Sequence, residues 1–271
     1  MHCAQYREIG GCRSFLERWP STGPTVVCIH TAGQSGVQYR DVAPGLAARG
    51  FDVLVVDMPG HGRSEPVATG PVSDLSWYAQ WILDALRDLE VERPYLIGCS
   101  IGGSIALDVA ARADRSGMPI AGVLALDPSG VLGPDGPEPR RPLLEDSVSP
   151  SMRDRTYYGT LAACGRTVPS DRVELIARMH CREDWHVTTL DIQGALTHDI
   201  RAELGSITCP VYLATGADDY FVPPARVQRI ADLIAHARFD VLDGVGHYPI
   251  EELPDIAERF ADWVRTLGDA T

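Results

Sequence analysis

The chain has 271 residues, 45% of them hydrophobic and 23% charged, with a formal net charge of −13. Those proportions suit one large domain, or a core domain carrying an insertion, and exclude a disulfide-stapled mini-protein or a wholly disordered chain. All 24 basic residues are arginines. That removes a P-loop phosphate site, a lysine Schiff base and a pyridoxal phosphate attachment, and the acidic balance argues against nucleic acid or an anionic membrane surface as partner.

In chain order, residues 5–9 and 13–19 flank Gly10-Gly11 and read as a hairpin. Short runs rich in Val, Ile and Leu at 25–29, 53–56, 95–97, 123–126 and 211–215 read as strands buried on both faces. Helix-length segments separate them. Asp74 caps one that runs to about Leu89, with Leu75, Tyr78, Ile82 and Leu86 at helical spacing. Strand and helix in alternation predict an α/β fold with a mostly parallel central sheet flanked by helices, whose ligands bind at the carboxyl ends of the strands. From Pro128 to Pro150 six prolines and three glycines break the pattern. Helical segments follow at 152–164 and 171–182, so 128–206 reads as a helical insertion between core segments 1–127 and 207–271. The remainder predicts a strand from Val211, a helix at 224–235, a strand at 238–242 and a final helix from Glu252.

The seven cysteines are scattered and odd in number, which points to a reducing compartment and not to a disulfide framework. The N-terminus lacks the basic start and apolar run of a signal peptide, and no stretch approaches the ~20 apolar residues of a membrane span, so a cytoplasmic location is expected. His180, Cys181 and His186 lie close together but match no recurrent zinc spacing, and no metal is expected.

Gly98-Cys99-Ser100-Ile101-Gly102 follows the run at 95–97 and opens a helical stretch at 101–112, the strand–turn–helix setting that G-x-S-x-G requires. Glycines suit the tight turn because a Cβ at those positions would collide. A serine hydroxyl needs a base, and the base needs a group to orient it. Gly216-Ala217-Asp218-Asp219 and Gly246-His247 each follow a predicted strand, which brings all three candidates to one sheet edge in the order Ser, Asp, His. Asp218 and, more weakly, Asp127 compete with Asp219 for the orienting role. Cys99 reads as a small buried hydrophobe beside the serine.

With the stretch from Asp57 to Ser64 (DMPGHGRS), Val222-Pro223 after the acid turn, and His247 leading to Pro249 and Glu251-Glu252, the sequence resembles an α/β-hydrolase with a helical cap. The resemblance implies Ser100 as nucleophile, His247 as general base and then acid, and Asp219 as orienting carboxylate, with no cofactor. It implies oxyanion-hole amides at Ile101 and, through the His30-Thr31-Ala32 loop, at Ala32. Thr31 departs from the usual glycine. His30 and His61 match structural loop positions, whereas His180, His186 and His198 fall in the insertion as candidates for its pocket. Trp185 and Val222 are expected to line an apolar substrate pocket. Arg153, Arg155, Arg166, Arg178 and Arg182 make the insertion comparatively basic, either as a solvated face or as a hold on a substrate carboxylate. The expected activity is hydrolysis of a small apolar carboxylic ester through an acyl-enzyme. Carbon–carbon bond hydrolysis, a thioesterase, a lactonase and a non-hydrolytic binding protein or cyclase on the same fold stay open.

Overall fold

Gly10 and Gly11 take positive φ, 59° and 78°, as a two-residue primed hairpin turn requires, and join β1 (Cys3–Ile9) to β2 (Cys12–Trp19). The computed structural model describes residues 2–134, 151–182 and 184–268. Next come β3 (Thr25–Ile29), α1 (Val42–Ala47), β4 (Asp52–Val56), α2 (Leu75–Asp88), β5 (Tyr95–Cys99), α3 (Ile101–Ser116) and β6 (Gly122–Leu126). Then α4 (Met152–Ala163), α5 (Ser170–His180) and α6 (Trp185–Thr197) precede β7 (Val211–Gly216), α7 (Pro224–Ala231), β8 (Arg238–Leu242), α8 (Pro249–Glu252) and α9 (Ile256–Gly268).

Among the described residues the strands form one eight-stranded sheet, ordered β1-β2-β4-β3-β5-β6-β7-β8. β2 pairs antiparallel with both β1 and β4, and every neighbouring pair from β4 to β8 is parallel. Alternation along the central strands feeds two cores. Val27 and Ile29 pack with α2 and α3, while Val26 and Cys28 pack with α1 and α9. α2 starts where expected because the Asp74 carboxylate accepts from the Ser76 amide at 2.9 Å. The α/β fold with a mostly parallel sheet is therefore as the sequence predicts, and the loops after β3, β5, β6, β7 and β8 meet at one edge.

The differences are local and have physical reasons. The final helix does not run from Glu252: α8 ends there, Pro254 interrupts the chain, and α9 begins at Ile256. α7 stops at Ala231 and not near 235. α6 escapes the periodicity reading because its burial contradicts its chemistry, with Leu196 exposed and Asp191 fully buried. Of the proline-rich stretch, residues 135–150 lie outside the described residues. Between β6 and β7 the described chain is helical or irregular, with a single bridge from Leu132 to Asp199.

Candidate active site

Ser100 sits at the tip of the β5–α3 turn with φ of +54°. Such a backbone is costly for a residue with a side chain and persists only where its surroundings enforce it. They do so here: the Ser100 amide donates to the Leu126 carbonyl at 2.8 Å. A Cβ on Gly98 would stand 2.1 Å from the Gly102 carbonyl oxygen, and one on Gly102 would stand 2.2 Å from that of Ile29. Both positions accept glycine alone, so the turn can pass this close to β3.

The structure brings Ser100, His247 and Asp219 together. With its proton on Nδ1, the His247 ring donates to Asp219 Oδ2 at 2.7 Å and accepts from the Ser100 hydroxyl at 3.0 Å. Asp219 Oδ1 accepts from the amides of Phe221 and Val222 at 2.8 and 3.0 Å. All three side chains are buried. Burial pushes the Asp219 carboxyl up, but the hydrogen bond and charge of His247 outweigh it and hold the group below its ordinary range. Asp218 faces away and pairs with Arg166. Asp127 lies on the other side of Asp219, fully buried, its Oδ1 accepting from the Thr215 hydroxyl at 2.6 Å and the Gly216 amide at 3.0 Å. Burial, and then the Asp219 charge, push the Asp127 carboxyl well above its ordinary range. One ligand atom each from Asp127, Asp219 and His247 lies within 4.8 Å of the others, the spacing a metal ion would need. A cation bound by those atoms would have to displace the His247–Asp219 hydrogen bond.

Ile101 is the first residue of α3, where a helix leaves its amides without internal partners. In the loop after β3, the amides of Thr31, Gly33 and Gln34 donate to Gln38, Asp191 and the Thr31 carbonyl respectively. Among the described residues the Ala32 amide has no protein acceptor. Val222 packs in the core, and its amide supports Asp219. Trp185 is half-exposed at the start of α6, its ring against His186. Phe221, which the sequence does not single out, lies edge-on to His247 with ring centroids 5.2 Å apart.

Two buried glutamates brace the site. Glu252 accepts from the amides of Gly165, Gly246 and Tyr248 at 3.0, 2.7 and 3.0 Å, which fixes the backbone on both sides of His247. Burial acts against the Glu251 charge, and His180 and Arg40 outweigh it and hold that carboxyl below its ordinary range. His30 and His61 occupy buried bonded positions behind the β3 loop. The Cys99 thiol is buried and pushed well up by that burial, which suits a packing role. Of the arginines between β6 and β7, Arg166 is held by Asp218 and Asp243 and Arg178 by Glu174, while Arg153 and Arg182 are exposed. Among the described residues no helix is long and apolar enough to cross a membrane.

A doubly wound sheet presenting a buried serine, histidine and aspartate at its carboxyl edge defines a class of hydrolase built on an α/β scaffold. The model of the Alpha/beta hydrolase family matches residues 26–262, and the chain belongs to that family. A 2-hydroxy-6-oxononadienedioate/2-hydroxy-6-oxononatrienedioate hydrolase of Cupriavidus pinatubonensis is 29% identical over 243 residues, 83% of this chain and 80% of that one. A thermophilic esterase of Thermogutta terrifontis superposes with a TM-score of 0.82 at 22% identity, covering 97% of this chain and 98% of its own. The enol-lactonase of Burkholderia xenovorans does so with a TM-score of 0.77 at 21% identity, covering 98% of each chain.

Proposed function

We propose that the protein is a serine hydrolase that cleaves small carboxylic esters through an acyl-enzyme. The observation that carries the reading is the unbroken line Ser100 Oγ, His247 Nε2, His247 Nδ1, Asp219 Oδ2, with links of 3.0 and 2.7 Å, in a buried site. His247 takes the Ser100 proton as Oγ attacks the ester carbonyl carbon, and the carbonyl electron pair moves onto oxygen. The Ile101 and Ala32 amides receive that oxyanion. The C–O bond then breaks and the alkoxide leaves with the proton from His247. Water, deprotonated by His247, attacks the acyl carbon, and Ser100 departs as the hydroxyl. Asp219 keeps the ring in the working tautomer and stabilises the imidazolium. Residues 128–206 act as a cap over a core of 1–127 and 207–271, and the substrate is apolar. Arg166 and Arg178 are already paired with acidic side chains, which leaves them poor holds for a substrate carboxylate.

The same groups serve a second reading, hydrolysis of a carbon–carbon bond beside a ketone. The similarity to the Cupriavidus pinatubonensis enzyme, named for a hydroxy-oxo-dienedioate, favours it. A panel of short-chain esters, lactones, thioesters and vinylogous diketones separates the two. Ester turnover that falls by about 10³-fold or more in Ser100→Ala supports the first. Turnover confined to the diketones supports the second, and ester turnover unchanged in Ser100→Ala contradicts both.

A further inference from the structure

The loop that carries Ala32 is held plane by plane. The Thr31 amide donates to Gln38 Oε1 at 2.9 Å. His30 Nε2 accepts from the Met58 amide at 3.1 Å, which leaves the ring proton on Nδ1 to donate to the Thr31 carbonyl at 2.9 Å. That carbonyl shares a planar peptide with the Ala32 amide, so fixing one aims the other the opposite way. The next peptide is held from outside the core: the Gly33 amide donates at 2.8 Å to Asp191 Oδ2, on helix α6. The same oxygen meets His61 Nε2 at 2.8 Å. α6 also lies directly over the loop, because a Cβ on Gly33, whose φ is +56°, would stand 2.1 Å from Thr188 Oγ1.

Asp191 is a poor choice for stability alone. Its carboxylate is fully buried, and among the described residues Oδ1 has no hydrogen-bond partner. Burying a polar group with an unpaired oxygen costs free energy that an apolar residue on α6 would avoid. A second strap starts from α5, where His180 Nε2 meets Glu251 Oε2 at 2.9 Å, and that oxygen accepts from Gln38 Nε2 at 3.2 Å. Both neighbours of Ala32 are thus tied to helices inserted between β6 and β7.

We propose that Asp191 is a positioning residue for the oxyanion hole: by holding the Gly33 amide from α6 it keeps the Ala32 amide aimed at the substrate carbonyl oxygen. The hole is complete only while the inserted helices are seated. This rests on the serine-hydrolase reading above. It also explains how the loop works with Thr31 where glycine is usual, since side chains from three directions impose the path.

The test uses the full chain with Asp191→Ala, Asp191→Asn and Gln38→Met, the last cutting the other strap without touching α6. Each is assayed for kcat and KM on the best ester, for thermal unfolding, and for inactivation by a p-nitrophenyl alkylphosphonate. In that inactivation Ser100 Oγ bonds phosphorus, p-nitrophenolate leaves, the serine proton passes to His247, and the phosphoryl oxygen occupies the hole. Asp191→Ala should lower kcat and the inactivation rate together by about tenfold or more, with KM held within about twofold. Asp191→Asn, which keeps an acceptor for the Gly33 amide, should recover most of both, and Gln38→Met should show the same paired loss as Asp191→Ala. Wild-type kcat and inactivation rate in Asp191→Ala, a rise in KM alone, or equal losses in Ala and Asn that follow a lower melting temperature would each overturn the proposal. If Asp191→Ala does not fold, unchanged kinetics in Gln38→Met overturn it. Failure of the phosphonate to label wild-type Ser100 would remove the serine-hydrolase reading and this proposal with it, whereas labelling at one rate in wild type and Asp191→Ala removes the proposal alone.

Discussion

Asp127 and Asp219 stand side by side with both carboxyl groups buried, and their surroundings drive them apart. Asp219 is held ionised by His247, while Asp127 is pushed toward its neutral acid form by burial and by the Asp219 charge. In the unfolded chain Asp127 ionises near pH 3.9. A group whose folded pKa is raised gives its full stabilisation below the unfolded pKa and loses it as pH rises toward the folded one. Asp127→Asn keeps the shape and removes that slope, so its melting temperature should gain on wild type from pH 4 to pH 8. A gap that stays flat or closes would contradict a neutral Asp127. The choice between adjacent aspartates gives a second test at this scale: Asp219→Ala should cost about 10³-fold or more in turnover, and Asp218→Ala, which loses only an exposed pair with Arg166, less than about threefold. Ser100, His247 and Asp219 are legible in the sequence because glycines and strand ends mark them. Asp191 and Gln38 carry no such mark, since what distinguishes them is burial against a distant loop.

At the scale of elements, the break between α8 and α9 is what frees Glu252 for the backbone around His247. Continuous helix from Glu252 onward is the natural reading of the sequence, yet Pro254 stops it, and the carboxylate turns inward to three amides from two loops. Glu252→Ala leaves those amides without an acceptor, a loss on the order of 3 kcal/mol, and Glu252→Gln should lose less. Urea unfolding measures both, and a midpoint in Glu252→Ala equal to wild type would show that the amides find other partners. α6 was hidden for a related reason. Its sequence has no continuous apolar face, because it meets the core through a buried carboxylate and contacts between small residues. Strands β3 to β7 were the reverse case: buried on both faces, they print themselves as unbroken apolar runs.

For the whole molecule, alternating strands and helices give the fold class and the edge where the candidate site lies, but not how the helices between β6 and β7 rest on that edge. Their seating depends on pairs far apart in sequence, such as Gly33 with Asp191 and His180 with Glu251. The net charge of −13 is also a property of the whole. Self-repulsion of that excess is screened by salt, so raising sodium chloride from 20 to 200 mM should raise the melting temperature by about 2 °C or more. A fall would mean that surface ion pairs outweigh the repulsion. Activation of Ser100 as a nucleophile by His247 can be read by adduct mapping with peptide mass spectrometry after treatment with a small serine-reactive phosphonate. The wild-type protein should carry one stoichiometric adduct on Ser100 and His247→Ala none. An adduct of equal extent in both, or none in either, would contradict that activation.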